Sequence, residues 1–311
     1  MKQLNKKIKI SGVGIHSGLP VNMVIKPSKK SGIFFKRTDL PESDLIPAKY
    51  DNVGETLMRN TTIGDKNGAH VQTIEHLMAA LFITGIDSAI IEIDGPETPI
   101  LDGSAYEFIN LFKDATDSKS NIKKIIVKKP IIAYRNELVK TMPFWKKIKM
   151  IILNHTIWRN GNGYVKLSPN DNGLLIDATL VYKDKIIGTQ SYSCLLDETK
   201  KSKDKFIKDI SKSRTFGKYS EWEYLKAHGM GRGANENNVI ALNDAGDGVL
   251  NKLYYKDEFV RHKIIDAVGD MFTSGGFIYG HLESYKGSHA LNNLVLRKLF
   301  SDKSNYEIVE E

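Results

Sequence analysis

The sequence predicts an α+β protein of two units, in each of which β-strands are followed by helices. Three observations lead to this prediction. Strand-like runs dominate residues 1–40, helical patterns follow within residues 73–112, and the same order returns from residue 125 onward. The 311 residues suffice for one large domain or two medium ones, each able to bury its own core.

In the first half, apolar residues spaced by three and four predict a helix over Thr73–Thr84. Thr73 is its expected N-cap and Gly85 its expected end. Strand and helix patterns predict two early strands, a buried strand and a second helix: Val21–Ile25, Gly32–Phe35, Ala89–Ile93 and Ala105–Phe112.

The polar segment Lys113–Lys124 is the best candidate for a linker, and we place the domain boundary within it, between residues 1–120 and 121–311. Beyond it, the patterns predict three strands, a charged and exposed helix, and a long helix: Ile125–Val127, Ile131–Tyr134, Leu174–Tyr182, Glu198–Asp209 and Lys256–Phe272.

Composition narrows the class of protein. Lysine and arginine number 45 against 37 acidic residues, a net charge of +8, and 41% of residues are hydrophobic, which excludes a fully disordered chain. The lysine runs alternate with β-branched or acidic residues, which favours solvated lysine faces; attraction to an anionic ligand or membrane surface is the alternative. The single cysteine, Cys194, excludes an intrachain disulfide and a cysteine-based zinc cluster.

Targeting signals are not evident in the sequence. The basic stretch Met1–Ile10 is followed by no apolar region, so we expect no secretory signal. The longest apolar stretch, Leu77–Ile86, is far shorter than the roughly 18 to 20 residues that span a bilayer. We therefore expect a soluble, cytoplasmic protein.

The long helix predicted over Lys256–Phe272 contains a polar series at a spacing of four. Val260, Ile264, Val268 and Met271 share its core-facing side, whereas the opposite side carries Glu258, His262, Asp266 and Asp270. A solvent-exposed polar stripe is one interpretation of this series. The other is a metal site, because histidine and aspartate one turn apart can bind the same ion.

A second histidine beside a carboxylate, Glu75-His76, lies in the earlier helix. A partly buried histidine with an ordinary hydrogen bond would explain it equally well. Together, His76, His262 and Asp266 could hold zinc with a fourth position open for water, the pattern of catalytic sites. Glu75 is the right kind of group to take the proton of that water.

The segment Tyr285–Asn293 places His289 after a glycine-containing turn, at the predicted start of a helix. In this position His289 could exchange protons with a ligand, and Lys286 could hold a phosphate. A turn that only caps the last helix is the alternative.

These segments closely resemble the UDP-3-O-acyl-N-acetylglucosamine deacetylase family, the zinc enzymes of lipid A biosynthesis in Gram-negative bacteria. The resemblance runs through most of the chain, in Gly12–Gly18, Thr73–Leu81, Pro99–Ala105, Ser213–Gly217, Asp257–Asp266 and Lys286–Asn293. It implies two similar α+β domains, each a layered sheet packed with helices, and an active site between them. It also implies zinc-dependent removal of the N-acetyl group from UDP-3-O-(3-hydroxyacyl)-N-acetylglucosamine, giving UDP-3-O-acyl-glucosamine and acetate.

The resemblance also implies roles for individual residues. The metal ligands would be His76, His262 and Asp266, with iron(II) as a conceivable substitute for zinc. The catalytic residues would be the general base Glu75, the general acid His289 with its charge partner Asp270, and the oxyanion and water contacts Thr215 and Lys263. Phe216 would line the substrate site, and Lys286 would contact the nucleotide.

Two segments depart from the family pattern or match it poorly. Gly287-Ser288 stands where the family commonly has Ser-Gly, which could alter the turn that aims His289. By the resemblance, residues 217–238 correspond to an insert that forms an acyl-chain passage, which Tyr219, Trp222, Leu225 and Met230 could line. The resemblance implies the UDP-linked sugar as the substrate. We further expect no nucleic-acid partner, a monomer, and at most transient contact with the inner membrane surface.

Two other functions compete with this interpretation. Two histidines and a carboxylate also describe non-haem iron(II) oxygenases, although those ligands normally lie on strands as His-x-Asp. Oxygen and 2-oxoglutarate dependence would identify that class. A basic binding module for nucleotides or nucleic acid is the non-enzymatic alternative, and salt-dependent retention on DNA without bound metal would favour it.

The bulk of Trp222 leads to a testable prediction about acyl-chain length. If its indole shapes the acyl passage, Trp222→Ala will shift the preferred chain length relative to the wild type. Acetate release measured across a series of acyl lengths checks this, and an unmoved profile would refute it.

Overall fold

The computed structural model describes residues 2–54, 60–119, 123–140 and 162–310 of the chain. Its strands, β1 to β18 in chain order, are Lys2–Leu4, Ile8–Val13, Pro20–Pro27, Gly32–Arg37, Ile46–Pro47, Ile63–Gly64, His70–Val71, Ser88–Ile93, Thr116–Lys119, Lys123–Val127, Ile131–Tyr134, Tyr164–Ser168, Leu174–Val181, Thr189–Leu196, Phe216–Lys218, Ile240–Leu242, Phe277–Tyr285 and Tyr306–Glu310.

Its helices, α1 to α7, are Glu75–Thr84, Tyr106–Phe112, Arg135–Lys140, Lys200–Asp209, Tyr219–Ala227, Glu258–Phe272 and His289–Phe300, and a 3₁₀ turn covers Lys303–Asn305. Within the described ranges, none of these helices combines the length and apolar character that crossing a membrane requires.

The first sheet is built entirely from residues before position 94. Its strand order is β2-β3-β8-β4-β5, and all neighbours are antiparallel except β4 and β8, where Ile33 pairs with Ala89 in a parallel register. Strand β3 alternates between buried and more exposed residues, as expected for a sheet with one face on the core.

The second sheet is built from residues after position 122. Its main order is β11-β12-β17-β10-β18, and β13, itself paired with β14, also joins β17. Strand β17 runs parallel to β10 and β13 and antiparallel to β12. Several sheets therefore pack against helices, and the predicted α+β class is confirmed. The division into domains 1–120 and 121–311 stays a prediction.

Helices α1 and α6 cross in the interior, and both are buried on nearly every side. In α1, all residues from Glu75 to Ile83 are buried, and in α6 only Arg261 and Lys263 are half-buried. Because α6 is covered on both faces, its polar series is not a solvated stripe. A single cluster of buried apolar side chains spans both sheets and these helices.

The predicted strands and helices are mostly confirmed, but the expected N-cap of α1 is wrong. The helix begins at Glu75 after Ile74, and Thr73 has a positive φ of 58°. The Thr73 hydroxyl donates to Glu97 Oε1 at 2.7 Å instead of capping the helix. The expected end is correct, because Gly85 adopts the left-handed conformation (φ 80°) in which glycine avoids a Cβ clash.

The segment Lys113–Lys124 is not a plain linker. It contains strand β9, which pairs with β1 at the start of the chain, and the first residues of β10. Residues 120–122, where the predicted boundary falls, lie outside the described residues. The sequence indicated a linker because β9 is polar and lacks the apolar alternation that marks a strand.

The close crossing of α1 and α6 depends on Gly269. A Cβ atom at this position would overlap the carbonyl oxygen of Glu75. We expect Gly269→Ala to lower the free energy of unfolding by up to about 2 kcal/mol, because an overpacking cost of about 1–3 kcal/mol outweighs the gain of about 1 kcal/mol in helix propensity. Urea unfolding measures this change.

Gly54→Ala is the matched control, because a Cβ there would lie no closer than 3.8 Å to any non-adjacent residue that the structure describes. A Gly269→Ala protein as stable as the wild type would show that the crossing tolerates a methyl group.

Candidate metal and catalytic site

Three side chains converge where α1 crosses α6. His76 is the second residue of α1, and His262 and Asp266 lie one turn apart on α6; all three are at most 4% exposed. Asp266 Oδ1 lies 3.4 Å from His262 Nε2 and 3.6 Å from His76 Nε2. Tetrahedral zinc with bonds of about 2.0–2.2 Å separates its ligand atoms by about 3.3–3.6 Å, so these distances fit a metal ion.

The hydrogen bonds of His262 and Asp266 leave one atom of each side chain available to bind a metal ion. His262 Nδ1 is 3.0 Å from the carbonyl oxygen of Ser213, which accepts its proton and leaves the Nε2 lone pair facing Asp266. Asp266 Oδ2 accepts from Lys263 Nζ at 2.6 Å. Asp266 Oδ1 has no hydrogen-bond donor among the described residues. A buried carboxylate oxygen without a donor is costly, and a cation would satisfy it.

The charge states also suit a cation. Burial lowers the pKa of His262 to about 3, so its imidazole is neutral and can coordinate. Burial acts to raise the pKa of Asp266, but the positive charges of Lys263 and His289 outweigh it and hold the pKa well below its usual range. With His262 neutral and Asp266 ionised, the two candidate ligands on α6 together carry one negative charge.

Glu75 adjoins His76 at the start of α1 and is 3% exposed. Its Oε2 accepts a hydrogen bond from the backbone N–H of Thr61 at 2.9 Å. Its Oε1 lies 3.9 Å from His289 Nε2. Burial raises the pKa of Glu75, which makes it a better proton acceptor than an exposed carboxylate.

His289 is the first residue of α7 and is 7% exposed. Its Nδ1 lies 2.8 Å from Asp270 Oδ2, and its Nε2 lies 3.8 Å from Asp266 Oδ2. Burial acts to lower the pKa of His289, but the charges of Asp270 and Glu75 outweigh it and raise the pKa to about 9. The imidazole is therefore protonated at neutral pH.

The turn before His289 both caps the helix and presents the imidazole. Ser288 Oγ accepts from the N–H of Leu291 at 3.4 Å, and Lys286 has a positive φ of 49°. A Cβ atom at Gly287 would overlap Ser284 Oγ, so a larger residue there would force that hydroxyl to rotate. The Gly287-Ser288 order thus gives a capped helix start, with His289 against Asp270.

A cleft opens beside Asp266 and His289. Its walls include Ala178 and Leu180 of β13, Ser284 of β17 and Asn292 of α7. Lys286 directly precedes the cleft residue Gly287, and its ammonium lies 5.5 Å from the Tyr285 ring centroid. The cleft leads from the metal ligands toward the second sheet.

Thr215 and Phe216 lie in the segment that approaches α6. The N–H of Thr215 donates to Gly103 at 2.9 Å, which fixes its backbone just before β15. The Phe216 ring lies 6.3 Å from the His262 ring, centroid to centroid, and Lys263 Nζ lies 5.6 Å from the Phe216 centroid. Phe216 therefore places an apolar ring beside His262 and Lys263.

Tyr219 and Trp222 lie in α5, apart from the ligand cluster. Trp222 is 7% exposed and belongs to a separate small apolar cluster with Ile15 and Ile100, whereas Tyr219 is 48% exposed. Their ring centroids are 5.1 Å apart. Their role as lining residues of an acyl passage stays a prediction.

Sequence reasoning missed two contributions to the site. Glu258 is fully buried and accepts from the backbone N–H and Nε of Arg214, both at 3.0 Å, which holds the adjacent Ser213 carbonyl on His262. Thr61 contacts both Glu75 and Asp270. The motif around Arg214 could have signalled the first contribution, but nothing local marks Thr61.

Comparison with known proteins identifies relatives over nearly the whole chain. The family model LpxC, described as UDP-3-O-acyl N-acetylglycosamine deacetylase, matches residues 1–301. Proteins named UDP-3-O-acyl-N-acetylglucosamine deacetylase from Neisseria meningitidis serogroup C (strain 053442) and serogroup B (strain ATCC BAA-335 / MC58) are 37% identical over 316 residues. Each alignment covers 99% of this chain and 92% of the relative. The chain belongs to the LpxC family of UDP-3-O-acyl N-acetylglycosamine deacetylases.

Proposed function

We propose that this protein is a zinc-dependent amidohydrolase of lipid A biosynthesis. It removes the N-acetyl group of UDP-3-O-(3-hydroxyacyl)-N-acetylglucosamine and gives UDP-3-O-acyl-glucosamine and acetate. The observation that carries the proposal is the convergence of His76, His262 and Asp266 with Glu75 and His289 in one buried site. Family membership and the names of the relatives support the substrate.

Zinc would be held by His76, His262 and Asp266. Two imidazoles and one carboxylate suit zinc and also suit iron(II). When bound there, the ion would act as a Lewis acid and lower the pKa of a coordinated water to about 7. Because all three ligands lie on helices, the arrangement departs from the strand-borne His-x-Asp pattern of the oxygenase alternative.

Glu75 would act as the general base on the attacking water. The N–H of Thr61 engages Oε2, so Oε1, on the side of His289, is the oxygen that takes the proton. The raised pKa of Glu75, caused mainly by burial, brings its basicity closer to that of the water that it deprotonates.

His289 would act as the general acid that protonates the departing amine. Its Nδ1 proton is bound to Asp270, so Nε2 is the nitrogen that points toward Glu75 and can donate. Asp270 stabilises the imidazolium form before the transfer. Positioned proton transfer of this kind typically contributes about 10²–10⁴ in rate.

Thr215 and Lys263 would stabilise the oxyanion that forms on the amide carbonyl. Lys263 Nζ lies 2.6 Å from Asp266 Oδ2, beside the ligand cluster. Burial acts to lower the pKa of Lys263, but Asp266 outweighs it and keeps the ammonium charged. Phe216 would line the substrate site, and Lys286 would contact the nucleotide phosphates.

We further propose that the protein acts in the cytoplasm as a monomer. The net charge of +8 supports weak, transient contact with an anionic inner membrane surface, where an acylated substrate would be met. An apolar wall beside cationic groups suits a substrate that is half nucleotide and half lipid.

We expect His289→Ala to lower kcat by about 10²–10⁴, because the amine loses its proton donor. Zinc content should remain near that of the wild type, because His289 is not one of the three ligands. Steady-state acetate release and metal analysis of the same preparation measure both quantities.

His281→Ala is the matched control, since His281 pairs with Asp177 at 2.7 Å on a half-exposed part of the second sheet. It should keep wild-type turnover. Loss of bound metal in His289→Ala would count against its role as the acid.

Metal removal tests the proposed function as a whole. The purified protein should contain about one zinc per chain and release acetate from the UDP-acyl-sugar. Chelation should abolish this release, and added zinc should restore it. Turnover that survives complete removal of metal would refute the proposal.

A further inference from the structure

Thr61 is a buried residue that contacts all three helices of the site. It precedes β6 and is 2% exposed. Its backbone faces the start of α1, where its carbonyl accepts from Ile74 N–H at 3.3 Å and its N–H donates to Glu75 Oε2 at 2.9 Å. Its hydroxyl points the other way, to Asp270 of α6 and His289 of α7.

We propose that Thr61 is a positioning residue that orients the general base and the general acid together. Its backbone N–H fixes the carboxylate of Glu75, and its hydroxyl fixes the pair formed by Asp270 and His289. This inference rests on the catalytic roles proposed above for Glu75 and His289.

The direction of each hydrogen bond follows from the groups involved. An ionised Asp270 only accepts, so the single hydroxyl proton of Thr61 goes to its Oδ1 at 2.5 Å. The Thr61 oxygen can then only accept from His289 Nδ1, 3.2 Å away. The Nδ1 proton is therefore shared between Thr61 and Asp270 Oδ2, and Nε2 is left for exchange with the substrate.

The hydroxyl also completes the hydrogen bonds of Asp270. Oδ2 of this carboxylate accepts from His289 Nδ1 and from Asn292 Nδ2, both at 2.8 Å. Within the parts of the chain that the structure describes, Thr61 is the donor to Oδ1. Without the hydroxyl, this buried oxygen loses its donor, and the carboxylate can rotate and carry His289 with it.

The backbone N–H of Thr61 makes the two carboxylate oxygens of Glu75 different from each other. Oε2 is engaged, which leaves Oε1 on the side of His289 Nε2 at 3.9 Å. The proton-accepting oxygen of the base and the proton-donating nitrogen of the acid thus face each other across the site. Because Thr61 contacts both Glu75 and His289, a shift of Thr61 would move the base and the acid together.

Thr61→Val tests the hydroxyl, because valine keeps the shape and the backbone N–H of threonine. We expect kcat to fall roughly 10- to 100-fold, as for the loss of a hydrogen bond to a charged group. KM should stay within about twofold, and zinc content should not change. Thr61→Ser, which restores the hydroxyl, should recover kcat to within about threefold of the wild type.

Thr62→Val is the control, since the Thr62 hydroxyl bonds to Asn60 Oδ1 at 3.2 Å and is unrelated to Asp270. It should leave kcat unchanged. If Thr61→Val does not fold, Thr61→Ala replaces it with the same expected drop. Equal loss of kcat in the serine variant and in the variant without a hydroxyl would overturn the proposal.

A second measurement does not require activity. In metal-free protein with ¹⁵N-labelled histidine, Thr61→Val should shift the Nδ1 signal of His289, whereas Thr62→Val should not. An unmoved signal would overturn the proposal. If wild-type protein releases no acetate, the proposed function fails, yet this spectrum still decides whether Thr61 holds His289.

Discussion

The close crossing of α1 and α6 is the constraint on which the site depends. The candidate metal ligands His76 and His262 are separated by 186 positions in the chain (262 − 76), and Gly269 lets α6 lie directly against the carbonyl of Glu75 where they meet. Helices normally pack with axes 8–10 Å apart, and a side chain at this contact would widen the crossing. A wider crossing would move His76 away from His262 and Asp266 together.

The buried charges around this crossing are balanced by one another. Glu75, Asp266 and Asp270 bring three carboxylates into the interior, opposed by Lys263 and a protonated His289. Because isolated buried charges are costly, each carboxylate is also a hydrogen-bond acceptor. The same requirement explains the Arg214–Glu258 pair, which secures the carbonyl that orients His262.

Features that depend on nearby residues could be predicted from the sequence. Helix α6, the spacing of His262 and Asp266, and the glycine end of α1 follow from patterns within a few turns of helix. The burial of the polar side of α6 could not be predicted, because it depends on a sheet and a helix from distant segments. Thr73 failed as an N-cap for the same reason, since Glu97, 24 residues later, binds its hydroxyl. The contacts of Thr61 span 209 and 228 positions, a separation that no local pattern records.

Because the candidate metal ligands come from both halves of the chain, metal affinity would depend on how the helices that carry them pack in the interior. Apolar side chains such as Val268 and Leu77 are not among the candidate ligands, yet they belong to the buried core between the helices that bear them. Drift at these positions through evolution changes coordination geometry before it changes the fold. Compensating pairs of substitutions across the two helices are thus the natural route by which related sequences diverge while retaining the metal.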